Sequence, residues 1–488
     1  MIYRGYKMKK STLAIAVVVG LGVIWTGGAY YTGYKAETEM KNQFEQANKE
    51  LAKIFNINGI PLHVSNENLK FERGVFSSQV AYDTVIIDEQ GEKMVFPFAG
   101  SFYHGPLPLN LVKKLNFAPA MFSADIGLVK NTQTEKWFVS ESNPFTNEFT
   151  LSYSQKINGV LTSKLKDVVY DKAKLTLDLQ LEYDTNRDGS DNKSTLSAKE
   201  IKIEDANIES GKTPRVLVLN SVKLDVDIDK NAKEFKYLSN GNVVLKAEKI
   251  VFNGTDSDGK NINFETKNSV FHYKSNLKDQ FVDYGVDYHL DDIKVNDVAI
   301  GKLQSNVEFN HLDASAIEKA LEQSVNNNGT LPADLEQSIG LAVIMNEPQI
   351  KATNLKIERE SGKFAADLDI HLAKLDMTKI SQNINLLSLF KTFTVNASLD
   401  KTLFLDAFSQ IEQHEKGLSK EDADKQAQVA LAEFISEGVR NNLLVEDGNV
   451  LKLNANIEGE YLNFNGKKIS NQELQGLLFL LALGMGSD

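Results

Sequence analysis

The sequence predicts an α+β protein in which a single N-terminal transmembrane helix precedes a large antiparallel β-rich body with interspersed helices, built as two related halves with curved sheets. Three observations carry this expectation. An uncharged apolar run spans residues 13–31 just behind a basic cluster. Apolar residues beyond it recur mostly at every second position. Asn-Gly and Asp-Gly pairs, the chemistry of tight hairpins, separate the alternating stretches.

The run 13–31 (LAIAVVVGLGVIWTGGAYY) contains no charged residue. At the helical rise it measures about 28 Å, close to the roughly 30 Å hydrocarbon core of a bilayer. Arg4, Lys7, Lys9 and Lys10 precede it, so the positive-inside bias keeps the N-terminus in the cytoplasm and sends the rest outward. Lys9 and Lys10 on one side, and Trp25, Tyr30 and Tyr31 on the other, are the expected membrane-interface residues. A cleaved secretory signal ending near Gly27-Gly28-Ala29 is the rival reading, and it exports the body equally. The resulting expectation is a single-pass membrane protein with its C-terminal body exported. Its parts are a cytoplasmic N-terminus (1–12), an anchor (13–33), an amphipathic helix (34–60), a first β-rich region (61–312) and a region of helices plus further strands (313–488).

The 488 residues, 42% hydrophobic, suffice for two or three domains with substantial cores. The chain has no cysteine, which excludes a disulfide framework, thiol catalysis and thiolate metal sites. Its net charge of −12 repels nucleic acid, so no nucleic-acid partner is expected.

After the anchor, Met40, Phe44, Ala47, Leu51 and Ile54 form one apolar helical stripe. From residue 62 to residue 311 the period is two: Leu175, Leu177, Leu179 and Leu181 alternate with polar residues, as do Val222, Leu224, Val226 and Ile228. A helical interval follows at 314–345, with Asp313 as a cap and Pro332 in a first turn. A second helical block is expected at 419–444, opened by Ser419 with Glu421 and Asp422 behind it. The terminal segment 473–484 is too short to span a bilayer and too apolar to stay exposed.

Motifs for zinc hydrolysis, serine nucleophiles, phosphate loops and dinucleotides do not occur. The seven histidines are dispersed. The string DTNRDGSDN at 184–192 resembles half a calcium loop, but Thr195 occupies the place of its last ligand, so an acidic hairpin tip is the better reading. No catalytic, cofactor or metal residue is assigned.

Four strings together resemble the YdgA-like proteins of Gram-negative bacteria: WTGGAYYTG at 25–33, ERGVFSS at 72–78, HGPLP at 104–108 and YLNFNGK at 461–467. The resemblance spans nearly the whole chain and implies an inner-membrane protein with a large periplasmic body in a family without an established activity. In physical terms Arg73-Gly74 suits a tight turn, Phe76 a core anchor and 104–108 a stiff non-helical corner. Arg73, Phe76 and His104 are the candidate contacts to a partner or ligand. The expected function is a non-enzymatic envelope scaffold or assembly partner. The alternatives are an apolar groove binding or transporting lipid or another amphiphile, and an unrecognised hydrolase.

Overall fold

The computed structural model describes residues 44–476 apart from 46, 50, 52–62, 75, 89–90, 105–106, 139–141, 171–172, 187–189, 206–214, 231–233, 256–258, 297, 328–330 and 375–384. The run 13–31, with Lys9, Lys10, Trp25, Tyr30 and Tyr31, lies outside the described residues, as does the apolar tail beyond 476. Among the described residues no helix is long and apolar enough to cross a membrane. The chain divides into two compact units, Met1–Lys233 with Ser239–Ile262 and Leu321–Leu331, and Glu234–Leu238 with Asn263–Ala320 and Pro332–Asp488.

The first unit is an antiparallel meander in which each strand pairs with the next: β1 (His63–Arg73), β2 (Ser77–Ile87), β3 (Lys93–His104), β4 (Ala120–Leu128), β5 (Phe145–Ser152), β6 (Lys156–Tyr170), β7 (Ala173–Asn186), β8 (Asp191–Asp205), β9 (Arg215–Asp229) and β10 (Asn240–Thr255). Side chains of alternate residues point to opposite faces, and here one face is closed. Phe98, Phe102, Phe122, Phe149, Leu161 and Leu177 belong to a continuous buried cluster on it. The described residues between 44 and 51 are helical and cover part of that face. Phe44 packs against the cluster, and Ala47 and Leu51 are buried, in line with the apolar stripe. Register shifts at Leu165/Val168 and Asp178/Leu179, with Asp167 and Ser221 at positive φ, place bulges on neighbouring strands, and bulges bend a sheet. A five-residue helix, α1 (Leu109–Lys113), interrupts the β3–β4 connection.

The second unit carries a second meander: β11 (Asn261–Lys278), β12 (Phe281–Val295), β13 (Val298–Asp313), β14 (Gln349–Arg359), β15 (Gly362–Leu372) and β16 (Phe390–Asp400) pair in sequence. The ladder runs across the 312–313 change of pattern, because β13 pairs with β14 beyond α2 (Ala314–Asn326) and α3 (Ala333–Met345). Asp313 accepts from the Ala316 amide at 2.7 Å, the expected cap. Pro332 stands at the N-cap of α3, one place earlier than a first-turn position. Two helices follow, α4 (Lys401–Lys416) and α5 (Lys420–Arg440), and then β17 (Val445–Asp447), β18 (Val450–Glu458), β19 (Tyr461–Phe464) and β20 (Lys467–Ser470). Ser419 caps α5 by accepting from the Asp422 amide. The helix α4 is an addition to the sequence reading. Its signal is Leu403, Phe404, Ala407, Phe408 and Ile411 at spacings of three and four, directly behind a strand.

Candidate functional site

The polar face of the first sheet carries a trough of about 710 Å³. Its floor is set by register. Asp125, Glu148, Val160, Glu182, Thr195 and Asp225 are successive ladder partners from β4 to β9. A second row runs Ser123, Thr150, Asn158, Asp184, Lys193, Asp227 and reaches Asn242 on β10. Directly paired residues share a face, so both rows lie opposite the buried Phe149 and Tyr183. Gly159 lets Tyr183 close up beneath the floor: a Cβ there would stand 2.4 Å from the tyrosine ring.

The rim is α1. Pro108 forms its N-cap, and buried Asn110 points at the sheet. The Asn110 amide donates to Ser123 Oγ at 3.0 Å and to Asp125 Oδ1 at 3.2 Å. Lys114, just past the helix, pairs with Glu148 on β5. The described residues of the corner at 104–108 are non-helical and lead straight into this helix, which becomes a wall of the site.

Six carboxylates line the trough (Asp125, Glu148, Glu182, Asp184, Asp225 and Asp227) against two lysines, Lys114 and Lys193. Burial, with Glu148 next to it, raises the Asp125 carboxyl above the usual range. The Lys114 ammonium is raised by its bond to Glu148. Asp225 is held low by the Lys223 ammonium at 2.9 Å, aided by the Thr195 hydroxyl at 2.8 Å. Lys193 stands 3.3 Å from Asp227. The surface is therefore an anionic floor with its charges tethered, suited to holding a cation by several weak contacts. Among the described residues no group of three or more His, Asp or Glu side chains could hold a metal ion.

Arg73, Phe76 and His104 come together elsewhere, at one end of the sheet. Arg73 is the ladder partner of Ser78, and Ser78 Oγ lies 2.8 Å from His104 Nε2. The His104 amide donates to the Phe76 carbonyl at 2.9 Å. Desolvation lowers the His104 imidazole below its ordinary value. Phe76 is exposed, which corrects its reading as a core anchor: it follows the end of β1, and Ser78 and Phe102 fill the interior behind it. None of the three lines the trough. On the calcium-like string, Asp184 ends up in the trough floor and Asp191 opens β8, with Lys156 3.9 Å and 3.6 Å from them. His272 and His289 lie 3.3 and 3.0 Å from Asp287 and Asp291 in the second unit, and His311 stacks on Phe281.

A family described as bacterial protein of unknown function (DUF945) matches residues 8–472. The chain belongs to this family. It is 24% identical to Protein YdgA of Escherichia coli over 98% of both chains. It is 25% identical to the uncharacterised protein YihF of the same organism, over 94% of this chain and 97% of the other. An uncharacterised protein of Haemophilus influenzae is 30% identical over 64% of this chain and 85% of its own length. No solved structure matches. The YdgA-like resemblance of the four strings thus holds, within a family that supplies no activity to carry over.

Proposed function

We propose that this DUF945 member is a non-enzymatic assembly partner of the bacterial cell envelope, held on the outer face of the inner membrane by the run 13–31, with its trough receiving a cationic segment of another polypeptide. The trough carries the reading: two cross-strand rows with six carboxylates against two lysines, roofed at one edge by a pinned helix. Seven strands at about 4.8 Å spacing make it roughly 29 Å wide, room for an extended segment of about nine residues. The apolar face behind it is filled, so the accessible face of this sheet is the polar one.

The test uses the full chain in nanodiscs and octalysine as the probe. Octalysine binds at low ionic strength and weakens with salt. Neutralising the floor with Glu182→Gln, Asp184→Asn and Asp227→Asn weakens it at least tenfold. Neutralising exposed Glu415, Glu433 and Glu437 on α4 and α5 changes it little. Equal effects of the two triple variants, or no binding, overturn the reading.

The second unit favours the amphiphile alternative through one observation. Tyr284, Phe309, Ile350, Ile370 and Phe393 form a cross-strand apolar row over β12 to β16, yet Phe309 and Ile350 are 37% and 40% exposed. Mass spectrometry of lipids co-purified with the full chain tests it: a stoichiometric acyl ligand lost in Phe309→Asp supports this reading, and its repeated absence counts against it.

A further inference from the structure

At one end of the first sheet the chain reverses through the β1–β2 turn, the β3–β4 connection and the β5–β6 hairpin. Phe76, Leu107, Leu115, Phe117 and Tyr153 lie in these three connections and are 68%, 45%, 80%, 61% and 55% exposed. Toward the opposite end the described residues expose only Val129 and Val169 among large apolar side chains. Aromatic and leucine side chains gathered at one end, without cover, mark an interaction surface, and exposed Phe and Leu side chains bury at the headgroup–acyl boundary of a bilayer.

The helical residues 44–51 show which end this is relative to the N-terminus. The Phe44 ring meets Tyr82 edge-on, with centroids 6.0 Å apart. Four residues later, Asn48 exchanges hydrogen bonds with Asn66, the ladder partner of Thr84. The helix therefore advances from Tyr82 toward Thr84, away from Phe76, and its N-terminal end faces the Phe76 end of the sheet. Phe76 stands six strand residues from Tyr82, about 20 Å at the strand rise. Tyr31, the last residue of the apolar run, stands thirteen residues before Phe44, a length of chain sufficient to bridge that distance.

We propose that this rim is a second membrane contact, its aromatic and leucine side chains seated in the headgroup layer of the same bilayer that the N-terminal run enters. The proposal rests on the reading of residues 13–31 as an anchor. Its driving force is apolar burial, since Asp184, Asp191, Asp227 and Asp229 lie toward the same end on β7 to β9 and oppose anionic lipid.

The natural chain has no cysteine, so Leu115→Cys, Phe117→Cys, Val129→Cys, Val169→Cys and Gly20→Cys each place one nitroxide on the full chain. In phosphatidylcholine nanodiscs, collision rates with oxygen and with a water-soluble nickel chelate report depth. Positions 20, 115 and 117 favour oxygen, and 129 and 169 favour nickel. Nickel access at 115 and 117 equal to that at 129 and 169, with position 20 still in lipid, overturns the rim contact and leaves the anchor standing. Nickel access at position 20 as well overturns both. Oxygen preference at the rim that arises only when phosphatidylglycerol is added overturns apolar seating as the cause.

Discussion

Asp125 and His104 show opposite responses to burial. The folded state raises the Asp125 carboxyl, so it binds that proton more tightly than the unfolded chain does. Its contribution to stability therefore falls as pH rises from the ordinary carboxylate value to the raised one, and stays low above. Asp125→Asn removes this penalty while keeping an acceptor for Asn110. Thermal melts are expected to show the variant more stable than the parent at pH 7.5, with the gap closing near pH 3. His104 is shifted down, so the neutral ring is favoured and stability is lost as pH falls from the ordinary histidine value through the lowered one. Ser78→Ala removes the buried partner of that ring and is expected to destabilise by about 1 kcal/mol in denaturant titrations.

Elements are held by single polar side chains at a few points, and each is open to test. Asn110→Ala unpins α1 from Ser123 and Asp125; a loss of about 1–3 kcal/mol and faster amide exchange at 109–114 are expected. Glu318 on α2 accepts from the amides of Lys236, Tyr237 and Leu238, so Glu318→Ala frees three donors at once, with a similar expected loss. Gly159→Ala drives a methyl group into Tyr183 and is expected to lower stability by about 1–3 kcal/mol. Strands were legible because alternation survives a wet face: Leu175 to Leu181 and Val222 to Ile228 lie where the period puts them. Helix α5 was legible from Ser419 and the acidic residues behind it. The helix α1 was not, because five residues are fewer than two turns and leave no period to read. The trough was hidden for a different reason. Glu182, Thr195 and Asp225 meet only through register, and register depends on bulges such as those at Asp167 and Ser221, which sequence alternation does not locate.

At the scale of the whole molecule, an apolar run near the N-terminus precedes a β-rich body of two meanders, in a family described as of unknown function. Export of the body is the premise on which both the cationic-partner trough and the membrane-seated rim depend. The cysteine-free sequence allows a direct test with Val169→Cys in the first unit and Val429→Cys in the second, both exposed positions. In spheroplasts of Escherichia coli expressing the full chain, a membrane-impermeant maleimide is predicted to label both positions before lysis, as fully as it does afterwards. Labelling that occurs only once the inner membrane is broken would place the body in the cytosol and contradict the account.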